Sequence, residues 1–135
     1  MEVINKVNPS PKQMQEFFNG ADDQPFVMVN LLKFKPRAEY HDGDHGLSGM
    51  EAYAIYGAAV AGQIKSLGGK MGYNGKVDGL LLGEVEELWD AVALAQYPSK
   101  AAMLKMVTSA EYQEIAKHRD AGLAGQLNIR TAVVL

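Results

Sequence analysis

The sequence contains no cysteine, so disulfides, thiolate metal sites and thiol nucleophiles are all excluded. Positive charge is not clustered either. The 13 lysines and arginines are isolated from one another and are outnumbered by 16 acids, which gives a formal net charge of −3. A nucleic-acid surface needs clustered cations that displace phosphate counterions. We therefore expect no nucleic acid among the partners of this protein.

Long apolar runs are also missing. No stretch approaches the roughly 20 apolar residues that a membrane helix needs, so no membrane partner is expected. The N-terminal segment, MEVINKVNPSPK, lacks the basic and apolar regions of a signal peptide. The apolar fraction of 47%, the charged fraction of 21% and the length of 135 residues are typical of one globular domain. We expect a single soluble, cytoplasmic domain over residues 1–135.

Local signals divide the chain into helices and strands. Ser10 followed by Pro11 is typical of an N-cap and a first helical residue, and Gly20 ends that short helix. Residues 26–35 (FVMVNLLKFK) give the strongest strand signal. The other predicted elements are a helix over 50–67, a strand over 69–85 with its ordered part at 77–85, a strand over Ala91–Tyr97, helices that begin after Ser99 and Ser109, and a last strand over 127–135.

The order of these elements, without the extra N-terminal helix, is βαββαβ. It predicts an α+β fold of ferredoxin-like topology, with one four-stranded antiparallel sheet and helices on a single face.

The first strand is apolar on both faces. One alternating set is Val27, Val29, Leu31 and Lys33, and the other is Phe26, Met28, Asn30, Leu32 and Phe34. A strand with one wet face should show only one such set. We expect the face of Phe26, Met28, Leu32 and Phe34 to be covered by a partner sheet, which would make the protein a homodimer, a dimeric α/β barrel. The alternative is that the N-terminal helix covers this face.

The C-terminal third carries a family resemblance. The run YPSKAAMLKMVTSAEYQEIAKHRDAGLAG, which begins at Tyr97, resembles the C-terminal half of a small bacterial family called domain of unknown function 1330. The pattern of that family runs from an aromatic-Pro-Ser through a short helix to Ser-Pro-Glu-Tyr-Gln and then an arginine. Ala110 stands at the usual proline, and Arg119 stands at the arginine. The resemblance covers residues 89–135 well and the preceding strands more loosely.

The resemblance implies membership of the dimeric α/β barrel superfamily, in agreement with the two-faced strand. That superfamily includes cofactor-independent monooxygenases, isomerases, haem-dependent enzymes and proteins with no known activity. The resemblance therefore supports the fold more than any reaction. We expect no cofactor.

The loop predicted over residues 36–49 is longer than a compact domain usually tolerates without a use. It contains the sequence His41-Asp42-Gly43-Asp44-His45, whose imidazoles and carboxylates could serve zinc, nickel or manganese. A solvated loop, an active-site lid and a metal site are the three alternatives, and our prediction includes no metal.

Three residues are candidates for catalysis. Asn30 interrupts an apolar strand, so its amide is bonded to neighbouring backbone or points into a ligand cavity. His118 could act as a general base, and Arg119 could hold a substrate carboxylate in bidentate fashion. The alternatives are an exposed His118 and an Arg119 paired with an acid such as Glu84 or Asp120.

The candidates for substrate binding are Tyr53, Tyr56, Lys33 and Trp89. The rings of the three aromatic residues suit a flat aromatic molecule, although a core or interface role explains the same residues. Lys33 could meet an anion at the rim. Two functions follow. The first is a cofactor-independent enzyme, monooxygenase-like or isomerase-like, that acts on a small aromatic or carboxylated metabolite beneath the loop 36–49. The second is a non-catalytic dimeric domain for ligand binding or assembly.

Overall fold

The structure is a computed structural model that describes residues 2–20 and 23–132. The order of its elements is α1 (Pro11–Phe18), β1 (Phe26–Phe34), α2 (Gly49–Ser66), β2 (Lys70–Lys76), β3 (Ala91–Tyr97), α3 (Lys100–Val107), α4 (Ala110–Gly122) and β4 (Leu123–Ala132). Within the described ranges, every helix is too short or too polar to cross a bilayer.

A serine caps the N-terminus of each helix. The side chains of Ser10, Ser48, Ser99 and Ser109 each accept a hydrogen bond from the backbone N–H three residues later. At Ser10 and Ser48 the residue in that third position, Gln13 or Glu51, also accepts from the N-cap backbone, which completes a capping box. The predicted helix starts after Ser10, Ser99 and Ser109 are confirmed.

The four strands form one antiparallel sheet in the order β2-β3-β1-β4. The α+β class, the four-stranded antiparallel sheet and the extra N-terminal helix are therefore confirmed. The long strand β1 lies inside the sheet, between β3 and β4. Val29 pairs with Leu94 on one side and with Ile129 on the other, so these three side chains share a face.

The helices cover one face of the sheet. Phe26, Met28 and Leu32 are only 0%, 4% and 2% exposed. Their side chains contact helical residues such as Tyr56 and Ile64. The expectation that a partner sheet covers this set was therefore wrong, because the helices of the same chain cover it. When both alternating sets are apolar, one strand alone does not show which set faces the helices.

The opposite face of the sheet stays open. Val27, Val29 and Leu31 are half-buried there, beside Leu94 and Ile129 of the neighbouring strands. The apolar set that the helices of the chain leave uncovered is therefore that of Val27, Val29 and Leu31, and not the predicted set.

Two strand boundaries differ from the prediction. The segment 77–85 is not a strand, because pairing with β3 ends where Lys76 meets Ala91. Its three consecutive leucines resemble a buried strand in sequence but lie exposed. The last strand begins at Leu123, four residues before the predicted start at residue 127, because α4 runs directly into it. Residues 133–135 of the predicted strand lie outside the described residues.

Two glycines let α2 and α4 come together beside the end of β1. A Cβ at Gly49 would lie 2.1 Å from the Lys35 carbonyl oxygen and 2.6 Å from that of Gly122, and a Cβ at Gly122 would lie 2.4 Å from the Gly49 carbonyl oxygen. Lys35 N–H donates to the Gly122 carbonyl at 2.8 Å, and Gly49 N–H donates to the Lys35 carbonyl at 3.1 Å. The three backbones therefore meet with no room for a side chain.

We expect Gly49→Ala to lower the free energy of unfolding by about 1–3 kcal/mol, because the new methyl group must displace backbone atoms. Gly62→Ala in the same helix is the matched control, since a Cβ there meets no atom within 4 Å. The control should stabilise the protein by up to about 1 kcal/mol through helix propensity. Urea unfolding measures both variants, and equal effects in the two would contradict the close-contact argument.

Candidate binding site

A cavity of about 540 Å³ lies where the N-terminal segment, α1, α3 and α4 meet the helix-facing side of β4. Phe17, Met28 and Met103 supply much of its apolar lining. Such a volume suits a small metabolite, since ligand sites in proteins commonly measure about 300–1,000 Å³.

A row of polar side chains forms the sheet wall of this cavity. Gln126, Asn128 and Arg130 alternate along β4 and stand opposite Leu32, Asn30 and Met28 of β1, so they lie on the helix-facing side. Polar residues on that side of a sheet are costly unless they are bonded or serve a ligand.

Gln126 is the most buried member of the row, at 8% exposure. Its amide Nε2 donates to Asn128 Oδ1 and, at 3.5 Å, to Asn30 Oδ1. Its Oε1 accepts no hydrogen bond from any described residue. A buried acceptor without a partner is costly, so a hydrogen-bond donor brought to this oxygen would offset that cost.

Asn30, predicted as a catalytic residue, lies on β1 directly opposite Asn128 of this row. Its Nδ2 donates to the Ala93 carbonyl at 3.0 Å, and its Oδ1 accepts from Gln126. The amide is thus bonded to neighbouring backbone, which was one of its two predicted states, and it reaches the cavity only through Gln126.

The cavity lining is positively charged. It contains four cations, Lys6, Lys100, Arg119 and Arg130, against one acid, Glu16. The Arg130 guanidinium lies 5.3 Å from the centre of the Phe26 ring, and Lys100 Nζ lies 5.3 Å from that of Phe17. These contacts hold two cations against apolar rings, and the excess of positive side chains in the lining favours anions.

Arg119 closes one side of the cavity, with a side chain that is 12% exposed. Its guanidinium donates to the Val7 carbonyl at 2.5 Å, to Asn8 Oδ1 at 3.5 Å and to Asp120 Oδ1 at 3.1 Å. The pairing with Asp120 was one of the predicted alternatives. The contacts with Val7 and Asn8 join α4 to the N-terminal segment.

His118 lies away from this cavity. Its Nδ1 is 2.7 Å from the Tyr40 hydroxyl, and the Tyr40 ring is stacked on His45 with centroids 3.8 Å apart. His45 Nε2 in turn is 2.6 Å from Asp42 Oδ1, a contact that lowers the pKa of that carboxyl. Burial lowers the pKa of His118.

The loop between β1 and α2 is therefore an ordered surface segment. Ala38 packs against Ala52 and Ala121 in a small core cluster, and Arg37 holds Asp44 at 2.7 Å. Across the described ranges, no three histidine, cysteine or acidic side chains converge as metal ligands would. Both predicted functional uses, the lid and the metal site, lack support from these contacts.

The two predicted tyrosines occupy different places. Tyr56 is buried in the core, and its hydroxyl lies 3.0 Å from that of Tyr112. Tyr53 lies against Phe34 and lines a second cavity, of about 570 Å³, between α2 and the strands β2 and β3. Burial raises the pKa of Tyr53 to about 12, so its hydroxyl is protonated at neutral pH.

Lys33 and Trp89 hold the segment that joins β2 to β3. Lys33 Nζ lies 2.8 Å from Glu87 Oε1 and donates to the Leu88 carbonyl at 3.2 Å. The indole N–H of Trp89 donates to Asn5 Oδ1 at 2.7 Å. Neither side chain lines either cavity, so their contacts are those of residues that fasten a loop.

The predicted site residues thus do not form one pocket beneath the loop. Of the seven, Arg119 lines the cavity beside β4 and Tyr53 lines the cavity beside α2, and the other five line neither of these two. Sequence reasoning missed Gln126, Asn128 and Arg130. A signal was available in the sequence. The three polar residues alternate with Leu127 and Ile129, which indicates one polar and one apolar face in the last strand.

The lowered pKa of His118 predicts a pH dependence of stability. Histidine in the unfolded chain, with a pKa of about 6.5, binds a proton more tightly than the folded His118, so folding loses stability as pH falls through that range. We expect the loss in unfolding free energy between pH 8 and pH 5.5 to be smaller in His118→Gln than in the wild type. Urea titrations at both pH values measure it.

His41→Gln is the control for that experiment, because His41 is exposed in the loop that carries Tyr40, the hydrogen-bond partner of His118. The control should keep the wild-type loss. If His118→Gln also kept it, then His118 would not be the group that couples protonation to unfolding.

Comparison with known proteins identifies relatives without a described activity. Residues 44–133 match the family described as domain of unknown function (DUF1330). A crystal structure of methylated RPA0582 protein is similar over 97% of this chain and 96% of its own, with a TM-score of 0.88 and 34% identity. A structure of the RPA0582 protein of unknown function from Rhodopseudomonas palustris is similar over 98% and 99%, with a TM-score of 0.87 and 33% identity.

The search of curated proteins found no match. The family match spans most of the chain, and both solved relatives cover nearly all of it. The chain therefore belongs to the DUF1330 family.

Proposed function

We propose that this protein binds a small hydroxylated aromatic carboxylate in the cavity beside β4. The observation that carries the proposal is the buried Gln126, whose Oε1 has no partner in the described chain and which lines a cavity together with four cations. Three features of the lining select three features of a ligand. The cations suit a carboxylate, Gln126 Oε1 suits a hydroxyl donor, and Phe17 with Met28 and Met103 suits a flat apolar body.

Binding has better support than catalysis. No histidine is among the residues that line the cavity, and the single acid, Glu16, is exposed on α1. His118, the predicted general base, is engaged with Tyr40 outside the cavity. An enzyme that moves protons needs a group within hydrogen-bond reach of the reacting atom. The non-catalytic alternative is therefore our conclusion.

We expect 4-hydroxybenzoate to bind more tightly than benzoate, which lacks the hydroxyl, and than 4-hydroxybenzamide, which lacks the charge. Gln126→Leu should remove the advantage over benzoate, about two- to tenfold for one neutral hydrogen bond. Arg130→Met should remove the advantage over the amide, about tenfold or more for a charged contact. Isothermal titration calorimetry measures all three ligands on each variant.

Arg37→Met is the matched control, because Arg37 forms an exposed ion pair with Asp44 and neither residue lines the cavity. It should leave all three affinities at their wild-type values. Gln126→Leu removes the unbonded oxygen and also the Nε2 donor to Asn30 and Asn128, so circular dichroism is used to check that its fold is kept. If none of the three ligands bound the wild-type protein, the proposed ligand class would be wrong.

We also propose that the protein is a homodimer through the open face of its sheet, as in a ferredoxin-like dimeric α/β barrel. The strand order β2-β3-β1-β4 and the one-sided helices support this fold. The open face presents Val27, Val29 and Leu31 in its centre, with Ile129 at 46% exposure beside them. A contiguous apolar face of this kind is rare on a soluble monomer, and a second copy offers a symmetric match.

Val29→Lys should shift the protein to monomers, because it places a charge in the centre of the contact while the monomer fold keeps that position open to water. Sedimentation velocity at micromolar concentration measures the shift, and circular dichroism confirms that the variant is folded. Lys12→Glu, on the exposed side of α1, is the control and should remain a dimer. A monomeric wild type would refute this part of the proposal.

A further inference from the structure

The segment 77–90, which joins β2 to β3, is here called the leucine loop. Leu80, Leu81 and Leu82 are 50%, 103% and 87% exposed, so half or more of the surface of each of these three consecutive leucines faces solvent. Both ends of the loop are fixed. Val77 N–H donates to the Asp90 carbonyl at 2.9 Å, and Lys33 binds Glu87 at 2.8 Å. A fixed loop that displays apolar side chains is typical of a contact surface.

The leucine loop is also strongly acidic. Its fourteen residues include five acids and no lysine or arginine; the acids are Asp78, Glu84, Glu86, Glu87 and Asp90. The cavity beside β4 has the opposite character, with four cations against one acid and an apolar lining. The two surfaces are therefore complementary in both charge and hydrophobicity.

The topology brings these two surfaces together in the proposed dimer. β2 and β4 are the edge strands of the sheet. When two such sheets close into one barrel around a two-fold axis that runs along the barrel, the edge β2 of each copy adjoins the edge β4 of the other. The leucine loop follows β2 directly, and β4 carries the polar row of the cavity. Among the described residues, the N-terminal segment pairs with the β4 backbone at one bridge, between Lys6 and Gln126, so the remaining described backbone of that edge has no strand beside it.

We propose that the leucine loop of the second copy covers the cavity and contributes Leu80–82 to its wall. The inference depends on the homodimer proposed above and defines how its binding site is completed. The acids of the loop then lie at the rim beside Lys6 and Lys100, and the leucines shield Gln126 and Arg130 from water. Shielding strengthens the contacts that those two groups make with a ligand.

Disulfide trapping tests this arrangement, since the chain has no cysteine of its own. The double variant Leu81→Cys/Glu16→Cys places one thiol at the tip of the loop and one on α1 at the cavity. Mild oxidation should convert most of the protein into a covalent dimer, seen on a non-reducing gel, because the two thiols of different copies come within bonding distance. Leu81 is fully exposed, so its replacement should not disturb the fold.

The matched control is Leu81→Cys/Gln15→Cys, since Gln15 is an exposed neighbour of Glu16 on α1 that does not line the cavity. It should form far less covalent dimer, and so should each single variant. Equal trapping by Leu81→Cys alone would mean that the two loops meet each other, which would overturn the inference.

The outcomes also separate this inference from the proposals on which it depends. A dimeric wild type whose double variant stays uncrosslinked would refute the loop placement and leave the dimer intact. A monomeric wild type would refute both. The trapping uses no ligand, so a failure of 4-hydroxybenzoate to bind would not affect its result.

Discussion

The close contact between Gly49 and Gly122 is the constraint on which the arrangement of the helices depends. Each glycine lies where a side chain would meet the backbone of the other helix, and the Lys35 backbone at the end of β1 is bonded to both. This junction fixes the start of α2 and the end of α4 at one point on the sheet. The ordered loop 35–48 and the direct passage from α4 into β4 both follow from it.

The cavity is a consequence of where this junction lies. α2 and α4 pack chiefly on each other, so the helix-facing side of β4 is left to α1 and the N-terminal segment. α1 is a short helix with no fully buried residue, and it does not fill the space in front of Gln126. Arg119 on α4 binds the N-terminal segment through the Val7 carbonyl. This contact makes the segment a wall of the cavity without filling the space in front of Gln126.

Features set by neighbouring residues could be predicted from the sequence. Pro98 and Ser99 separate β3 from α3, and the predicted bounds of β3 and the predicted start of α3 are those of the structure. Features set by distant residues could not. Arg119 meets Val7 across 112 positions and His118 meets Tyr40 across 78, and no local pattern reports such contacts. The strand predicted over residues 77–85, in the leucine loop, was wrong for a further reason. Three consecutive leucines give the same local signal whether their own chain or another surface covers them.

The polar row on β4 is the physical reason for proposing a ligand in this cavity. Apolar residues in place of Gln126 and Arg130 would bury the same surface without desolvating an amide and a guanidinium. The fold has the elements to build such a core, because Phe26, Met28 and Leu32 already line the adjacent strand. A buried amide whose oxygen accepts no bond in the described chain lowers stability, whereas it adds selectivity to a cavity that receives a hydroxyl donor.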